Sequence, residues 1–195
     1  DSIVRYFMEE YRQGRTPNPC ARCNRLIKFG ALYERADALG AEFIAMGHYT
    51  RIESRDGRWG LRRALHLPKD QSYVLSPLTQ AQLRRAVFPL GTLSKDQVRA
   101  CAWTLDFAMA TKRESQEICF VPDRDYAGYI ERRMGPAAPG PIVTESGEVV
   151  GEHRGLLHYT IGQRRGLGVA SARPYYVVRL DTARNALVVG GREAT

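Results

Sequence analysis

The sequence predicts an α/β fold: part of an open parallel-sheet domain, followed by a smaller β-rich part. Three observations predict it. Helical spacing leads into a short apolar run, Phe43-Ile44-Ala45-Met46, that stops at Gly47; this is the pattern of a buried strand entered from a helix. After Gly135 the texture changes to Pro136, Pro139, Gly140 and Pro141, a breaker-rich linker. Beyond it the apolar runs are short and separated by turn residues.

Each element has its own signal. Ile3, Val4, Phe7, Met8 and Tyr11 recur at helical spacing over residues 3–13, with Gly14 as the stop. Arg15-Thr16-Pro17-Asn18-Pro19 is a loop, because the residue before each proline is pushed out of helical geometry. A second helix is expected from Asn24 to Leu39, with Leu26, Phe29, Leu32 and Ala36 inward and Gly40 as its cap. The strand at 43–46 comes next. Open α/β sheets bind ligands at the C-terminal ends of their strands, where Gly47 and His48 stand. Tyr49 to Arg63 reads as a hairpin turning at Asp56-Gly57. Helices are expected at 79–88, at 94–106 and at 124–134. The second of these opens on Ser94 with Gln97 three residues on, a capping-box pair. Residues 142–150 read as a strand pair about Ser146-Gly147. Residues 175–180 and 186–189 read as a hairpin about Thr182 to Asn185. The chain therefore divides at 1–122, 123–172 and 173–195, the last read as the first strands of a β-barrel. One parallel-type strand is too little for a doubly wound sheet, and the last hairpin has no later strand to pair with. Strands are therefore expected before Asp1 and after Thr195.

Composition narrows the class. Hydrophobic residues make up 44% and charged residues 26%, which excludes a wholly disordered or collagen-like chain. No apolar run approaches the roughly 18 residues of a membrane span, and Asp1-Ser2-Ile3-Val4 shows no signal-peptide core. Basic side chains number 29 against 21 acidic, for a net charge of +8, which favours a polyanionic partner, most simply nucleic acid. An arginine-rich codon usage is the plain alternative. Residues 1–122 carry 19 of the basic and 13 of the acidic groups, so the electrostatic footprint is expected mainly there. Four cysteines, Cys20, Cys23, Cys101 and Cys119, are too few for a disulfide framework and read as those of a reducing, cytoplasmic protein.

The chemistry-bearing residues cluster in three places. Pro19-Cys20-Ala21-Arg22-Cys23-Asn24 stands at the mouth of a helix, where helical N–H groups and the arginines at 22 and 25 stabilise a thiolate, a nucleophile or metal ligand. Half of a zinc site and a purely structural loop are the alternatives. No second C-x-x-C exists, and the histidines are scattered at 48, 66, 153 and 158, against a closed four-ligand zinc site. Lys69-Asp70-Gln71-Ser72-Tyr73 mixes a cation, a carboxylate, an amide and a ring, groups suited to phosphate and base-edge contact; a solvated turn is the simpler reading. Tyr159 to Gly168 is a basic stretch between glycines, with Arg164 and Arg165 at its centre, and it is no P-loop. Cys119 lies in Ser115-Gln116-Glu117-Ile118-Cys119-Phe120 and reads by itself as a core residue of a strand. Cys101 reads as the core residue of a helix.

Taken in order, these motifs resemble the tRNA-specific 2-thiouridylase family. The resemblance is carried by Gly14-Arg15-Thr16-Pro17-Asn18-Pro19-Cys20-Ala21-Arg22-Cys23-Asn24 and Ile27-Lys28-Phe29-Gly30. It continues through Met46-Gly47-His48-Tyr49, Lys69-Asp70-Gln71-Ser72-Tyr73, Phe88-Pro89-Leu90-Gly91, Ile118-Cys119-Phe120, Gly151-Glu152-His153 and Tyr159 to Gly168. It implies an adenine-nucleotide α-hydrolase-like domain, a small central α+β domain and a β-barrel. It implies sulfur transfer to the 2-position of the wobble uridine, with ATP and magnesium activating the uridine oxygen and a cysteine persulfide supplying sulfur. By the same resemblance Cys119 carries the persulfide, and Cys23 releases the sulfur through a transient disulfide with it. Gly47 contacts the nucleotide, Asn18, Pro19 and Cys20 lie against the target base, and His48, Lys69, Asp70 and Gln71 contact tRNA. The partners implied are the tRNA anticodon stem-loop and a persulfide-donor protein, with no membrane.

Two features bear on how far the resemblance carries. Cys20 stands where the family also accepts aspartate, so Cys20, Cys23 and Cys119 form an alternative ligand set for an iron–sulfur cluster. A non-catalytic RNA-binding module and a zinc-stabilised adaptor are the rivals from other classes. The family's Gly-rich S-G-G-x-D-S pyrophosphate loop does not occur in these 195 residues, so weak or absent ATP-dependent turnover is expected of them alone.

Overall fold

A computed structural model describes residues 2–107, 118–121 and 125–194. They fall into two compact units, one within residues 18–116 and one joining residues 1–17 to 117–195. The first helix, α1 (Ser2–Arg12), keeps to its sequence pattern, with Phe7 fully buried. Its partners lie far along the chain: Val121, Tyr129 and Ile130, with the Phe120 ring 5.3 Å from Phe7 and edge-on to it. After α1, Gly14 takes a left-handed φ of 70°, and a Cβ there would meet Thr182 Cγ2 at 3.0 Å. Both conformation and space require the glycine.

The unit of residues 18–116 begins with one long helical run. It comprises α2 (Pro19–Cys23), a π-helical segment (Asn24–Ala31) and α3 (Leu32–Ala38). The helix thus starts at Pro19 rather than Asn24. Its inward face also differs from expectation. Asn24, Phe29, Tyr33 and Ala36 are buried, whereas Leu26 and Leu32 are 41% and 42% exposed. The expectation assumed 3.6 residues per turn, and a π-segment inserts an extra residue that rotates the later turns about the axis.

Next comes β1 (Ile44–Ala45), then the antiparallel hairpin β2 (Thr50–Arg55) and β3 (Arg58–Arg63). Its two-residue turn has Asp56 and Gly57 at φ 51° and 74°, the geometry expected of Asp-Gly. The helix expected at 79–88 ends early, as α4 (Gln80–Arg84), and β4 (Ala86–Val87) runs parallel to β1. Ile44 N donates to Arg85 O and Met46 N to Val87 O, each at 2.9 Å. Strand pairing across more than 40 residues overrides the local helical pattern. Phe29, Tyr33, Ile44, Val74, Leu75 and Phe88 form the core of this unit. In α5 (Lys95–Thr104), the Ser94 and Gln97 capping box is present as expected, but none of the helix's residues is buried. Cys101, expected in the core, is exposed. Helical spacing marks an apolar stripe without saying what covers it.

In the other unit α6 (Tyr126–Met134) is capped by Asp125, whose Oδ1 accepts from Gly128 N at 2.8 Å. Then come β5 (Gly140–Thr144), β6 (Val149–His153), β7 (Tyr176–Asp181) and β8 (Ala186–Gly190). They make one four-stranded sheet in the order β6-β5-β8-β7. The final hairpin, expected to lack a partner, pairs through β8 in parallel with β5. The division expected at 172/173 therefore runs through this sheet, whose core is Ile142, Leu167, Val177, Leu187 and Val189. Among the described residues no helix is long and apolar enough to cross a membrane.

Candidate functional site

Two prolines and an asparagine set the cysteine loop. Asn18 Oδ1 accepts from Ala21 N at 3.0 Å, and Pro19, buried, occupies the first helical position, where its missing N–H costs nothing. Cys20 then stands exposed in the first turn, and Cys23 is half-buried three residues on. Residues at that spacing share a helix face. Because the helix starts at Pro19, Cys20 rather than Cys23 lies nearest its N-terminus. None of the four cysteines is in a disulfide.

Asn24 is a polar residue whose place the sequence reading missed. It is 1% exposed, its Nδ2 donates to Val74 O at 3.1 Å, and its Oδ1 has no partner among the described residues. Its only sequence signal is an amide where an α-helix favours alanine or leucine. Gln82 satisfies the wide turn beside it, with Nε2 donating to Arg25 O at 3.1 Å and to Phe29 O.

The parallel pair delivers the second group. Gly47 and His48 come just after β1, and Phe88 just after β4. The His48 ring is 7% exposed, edge-on to Phe88 at 6.1 Å and 6.3 Å from Phe29. Its Nδ1 has no partner among the described residues. Burial first, and the Lys28 ammonium second, pull the imidazole down to about 4, so the ring is neutral near pH 7. Gly47 is exposed, and a Cβ there would touch only Leu90 Cδ1 at 3.7 Å.

Lys69, Asp70 and Gln71 do not form a solvated turn. All three are half-buried. Asp70 Oδ1 accepts from Ala64 N at 2.8 Å, and Oδ2 accepts from Ser72 Oγ at 2.7 Å. Gln71 Oε1 accepts from Tyr49 N at 3.0 Å, and Gln71 N donates to Tyr49 O at 2.8 Å. Gln71 thus locks the turn to the segment just after His48, and Asp70 ties it to Ala64, just past the end of β3.

Cys119 stands in a turn closed by Val121 N donating to Ile118 O at 2.9 Å, not in the expected strand. Ile118 and Phe120 pack towards Phe7 while Cys119 between them is exposed, so its reading as a core residue is corrected. Residues 115–117 of its motif lie outside the described residues. Cys23 and Cys119 belong to different compact units. Among the described residues, Cys20, Cys23 and Cys119 included, no three His, Cys, Asp or Glu side chains gather as a metal site.

Comparison with known proteins fits this geometry. Residues 1–123 match the family model described as the tRNA methyl transferase HUP domain, and residues 127–191 match the tRNA methyl transferase PRC-barrel domain. The fold is accordingly an adenine-nucleotide α-hydrolase-like domain followed by a barrel domain. The chain is 53% identical over 196 residues to tRNA-specific 2-thiouridylase MnmA 2 of Thermoanaerobacter sp. (strain X514), covering 99% of this chain and 54% of that protein. It is 51% identical to the MnmA of Trichlorobacter lovleyi, covering 99% and 55%, and 50% identical to that of Symbiobacterium thermophilum, covering 100% and 51%. The chain thus spans about half the length of the curated relatives it matches. On these matches and the motifs that carry them, the chain belongs to the tRNA-specific 2-thiouridylase family.

Proposed function

We propose that this chain is the sulfur-handling part of an enzyme that replaces the 2-oxygen of the tRNA wobble uridine with sulfur, at the expense of ATP. The observation that carries the reading is Cys119, exposed on a turn whose apolar neighbours Ile118 and Phe120 face inward. A thiol that must be loaded by a separate persulfide donor has to be reachable. A methyl transfer, which the family model's description names, has no use for this set of cysteines.

The residues present fit an adenine nucleotide. Nothing in the chain's own packing demands glycine at 47, so close approach of a ligand to the end of β1 accounts for it. His48 Nδ1 and Asn24 Oδ1 are buried polar atoms awaiting partners. When bound, ATP supplies the activation that turns the uridine 2-oxygen into a leaving group. The neutral His48, beside Gly47 at that end of the sheet, faces the tRNA together with Asp70 and Gln71, which also hold the adjoining loop in place.

Cys119 carries the outer sulfur as a persulfide. Cys23 takes the inner sulfur, forming a Cys23–Cys119 disulfide and freeing the outer sulfur to bond to carbon 2 as the carbon–oxygen bond breaks. Two electrons from an external thiol then return both cysteines to the reduced state. Asn18, Pro19 and Cys20 lie against the target base, with Lys69 on the RNA. The test is Cys119→Ser in the whole enzyme. Formation of 2-thiouridine should fall by about a thousandfold or more, with tRNA affinity within about twofold of wild type. Thiolation at half the wild-type rate or better overturns the reading.

A further inference from the structure

The basic stretch beyond β6 has a structure of its own. From Arg154 to Leu180 the chain holds five arginines and no aspartate or glutamate, so this stretch is locally basic although most of the net charge lies within residues 1–122. Within this stretch Gly162, Gly166 and Gly168 take left-handed φ values of 83°, 77° and 72°. Turns of this kind gather backbone N–H groups into anion-binding concavities.

The loop is pinned rather than loose. Gly162 N donates to Val177 O at 2.8 Å, and Val177 N to Gln163 O at 2.9 Å. Gln163 Oε1 accepts from Thr160 N at 3.1 Å, and its Nε2 donates to Arg165 O at 2.9 Å. Leu167 is anchored in the sheet core. Arg164 and Arg173 line one open cavity of about 460 Å³ together with Gly166, Gly168 and Ser171. No acidic residue lines it, and neither guanidinium pairs with a carboxylate among the described residues.

We infer that this cavity is a phosphate site for the RNA backbone, in which Arg164 and Arg173 clamp a phosphodiester against the glycine loop. The inference rests on the tRNA reading above and adds a contact outside the cysteine loop. A preformed backbone loop with two arginines and no counter-charge suits a phosphate oxygen, which accepts from guanidinium and peptide N–H alike. It suits a base edge less, because its donors are not interleaved with acceptors.

The experiment measures tRNA affinity against salt for the 195-residue chain, for Arg164→Gln/Arg173→Gln and for Arg58→Gln on β3. The double variant should bind about tenfold more weakly near 0.1 M salt, with its log–log salt slope reduced by about 1.5 to 2. Arg58→Gln should stay within about twofold. Arg164→Lys/Arg173→Lys should restore most of the slope, because the charge is kept. A double variant no weaker than Arg58→Gln overturns the inference while leaving the tRNA reading intact. Wild type that fails to bind tRNA overturns the tRNA reading beneath it. Inorganic phosphate at about 10 mM and constant ionic strength should change wild-type affinity less than about twofold. A tenfold loss that the double variant lacks assigns the loop to free phosphate instead. Both arginines are exposed, so unfolding does not confound the variants.

Discussion

The two compact units treat a buried histidine in opposite ways. His153, 1% exposed, uses both ring nitrogens: Nδ1 accepts from Gly155 N at 3.0 Å, which leaves Nε2 to donate to Asn185 O at 3.0 Å. Asn185, at φ 48°, in turn donates from Nδ2 to Ala138 O and Pro139 O. The ring therefore fastens the end of β6 to the β7–β8 turn and to the entry of β5. His48, 7% exposed, leaves Nδ1 unpaired among the described residues and sits between aromatic rings at the open end of a two-stranded sheet. A buried polar group with every partner present holds a fold together. One left wanting a partner costs stability, and a ligand offering the missing bond explains its retention.

Replacing each ring by phenylalanine is the sharpest way to break this comparison. His153→Phe leaves the Gly155 N–H and the Asn185 carbonyl without partners and should cost about 3 kcal/mol. His48→Phe removes a polar atom that has no partner and should change stability by less than about 1 kcal/mol. Urea unfolding near pH 7.5 reads both. Equal losses at the two sites would show that His48 is structurally bonded and would remove it from the ligand-contacting residues.

Acid separates the two units next. His48 is held at about 4 in the fold, by burial and then by Lys28, against an ordinary value near 6.5. Above about pH 6.5 the ring is neutral in both folded and unfolded chains and contributes no pH dependence. As pH falls from 6.5 towards 4 the unfolded chain takes a proton that the native ring refuses. Stability therefore declines across that window, by up to about 3 kcal/mol and by less where water reaches the ring. The difference between wild type and His48→Phe, measured from pH 7.5 to 4, should grow in the variant's favour. A difference that stays flat would place the imidazole in a solvated setting.

How much of the molecule was legible in the sequence depends on the range of the forces involved. Asp56-Gly57, Ser146-Gly147 and Gly14 are local signals, and each lies in a turn or stop where it was expected. The capping box at Ser94 and Gln97 is local too. The parallel pairings were not legible, because Ile44 with Ala86 and Ile142 with Leu187 depend on partners more than 40 residues away. The π-segment was invisible for a different reason. Gln82, more than 50 residues on, supplies the donor that satisfies its carbonyls, and no local pattern marks that. In the site, Cys119 was read as the core residue of a strand, whereas it stands exposed in a turn. Apolar neighbours suggested a buried thiol, whereas those neighbours, partly buried, are the part that packs inward.

The smallest effect tests the part of the α/β unit that packing leaves alone. No residue of α5 is buried, so little tertiary burial reports on its ends, and its first turn rests largely on the cap. Ser94 Oγ accepts from Gln97 N at 3.2 Å, and Gln97 Oε1 accepts from Ser94 N at 2.7 Å. Ser94→Ala removes one of this pair and should cost the helix about 1 kcal/mol. Because no residue of α5 is fully buried, that loss should appear as faster hydrogen exchange of amides 95–98 by about fivefold. The urea midpoint of the unit should scarcely move. A midpoint shift as large as that of a core truncation would mean that α5 is coupled to the Phe29 and Phe88 core after all.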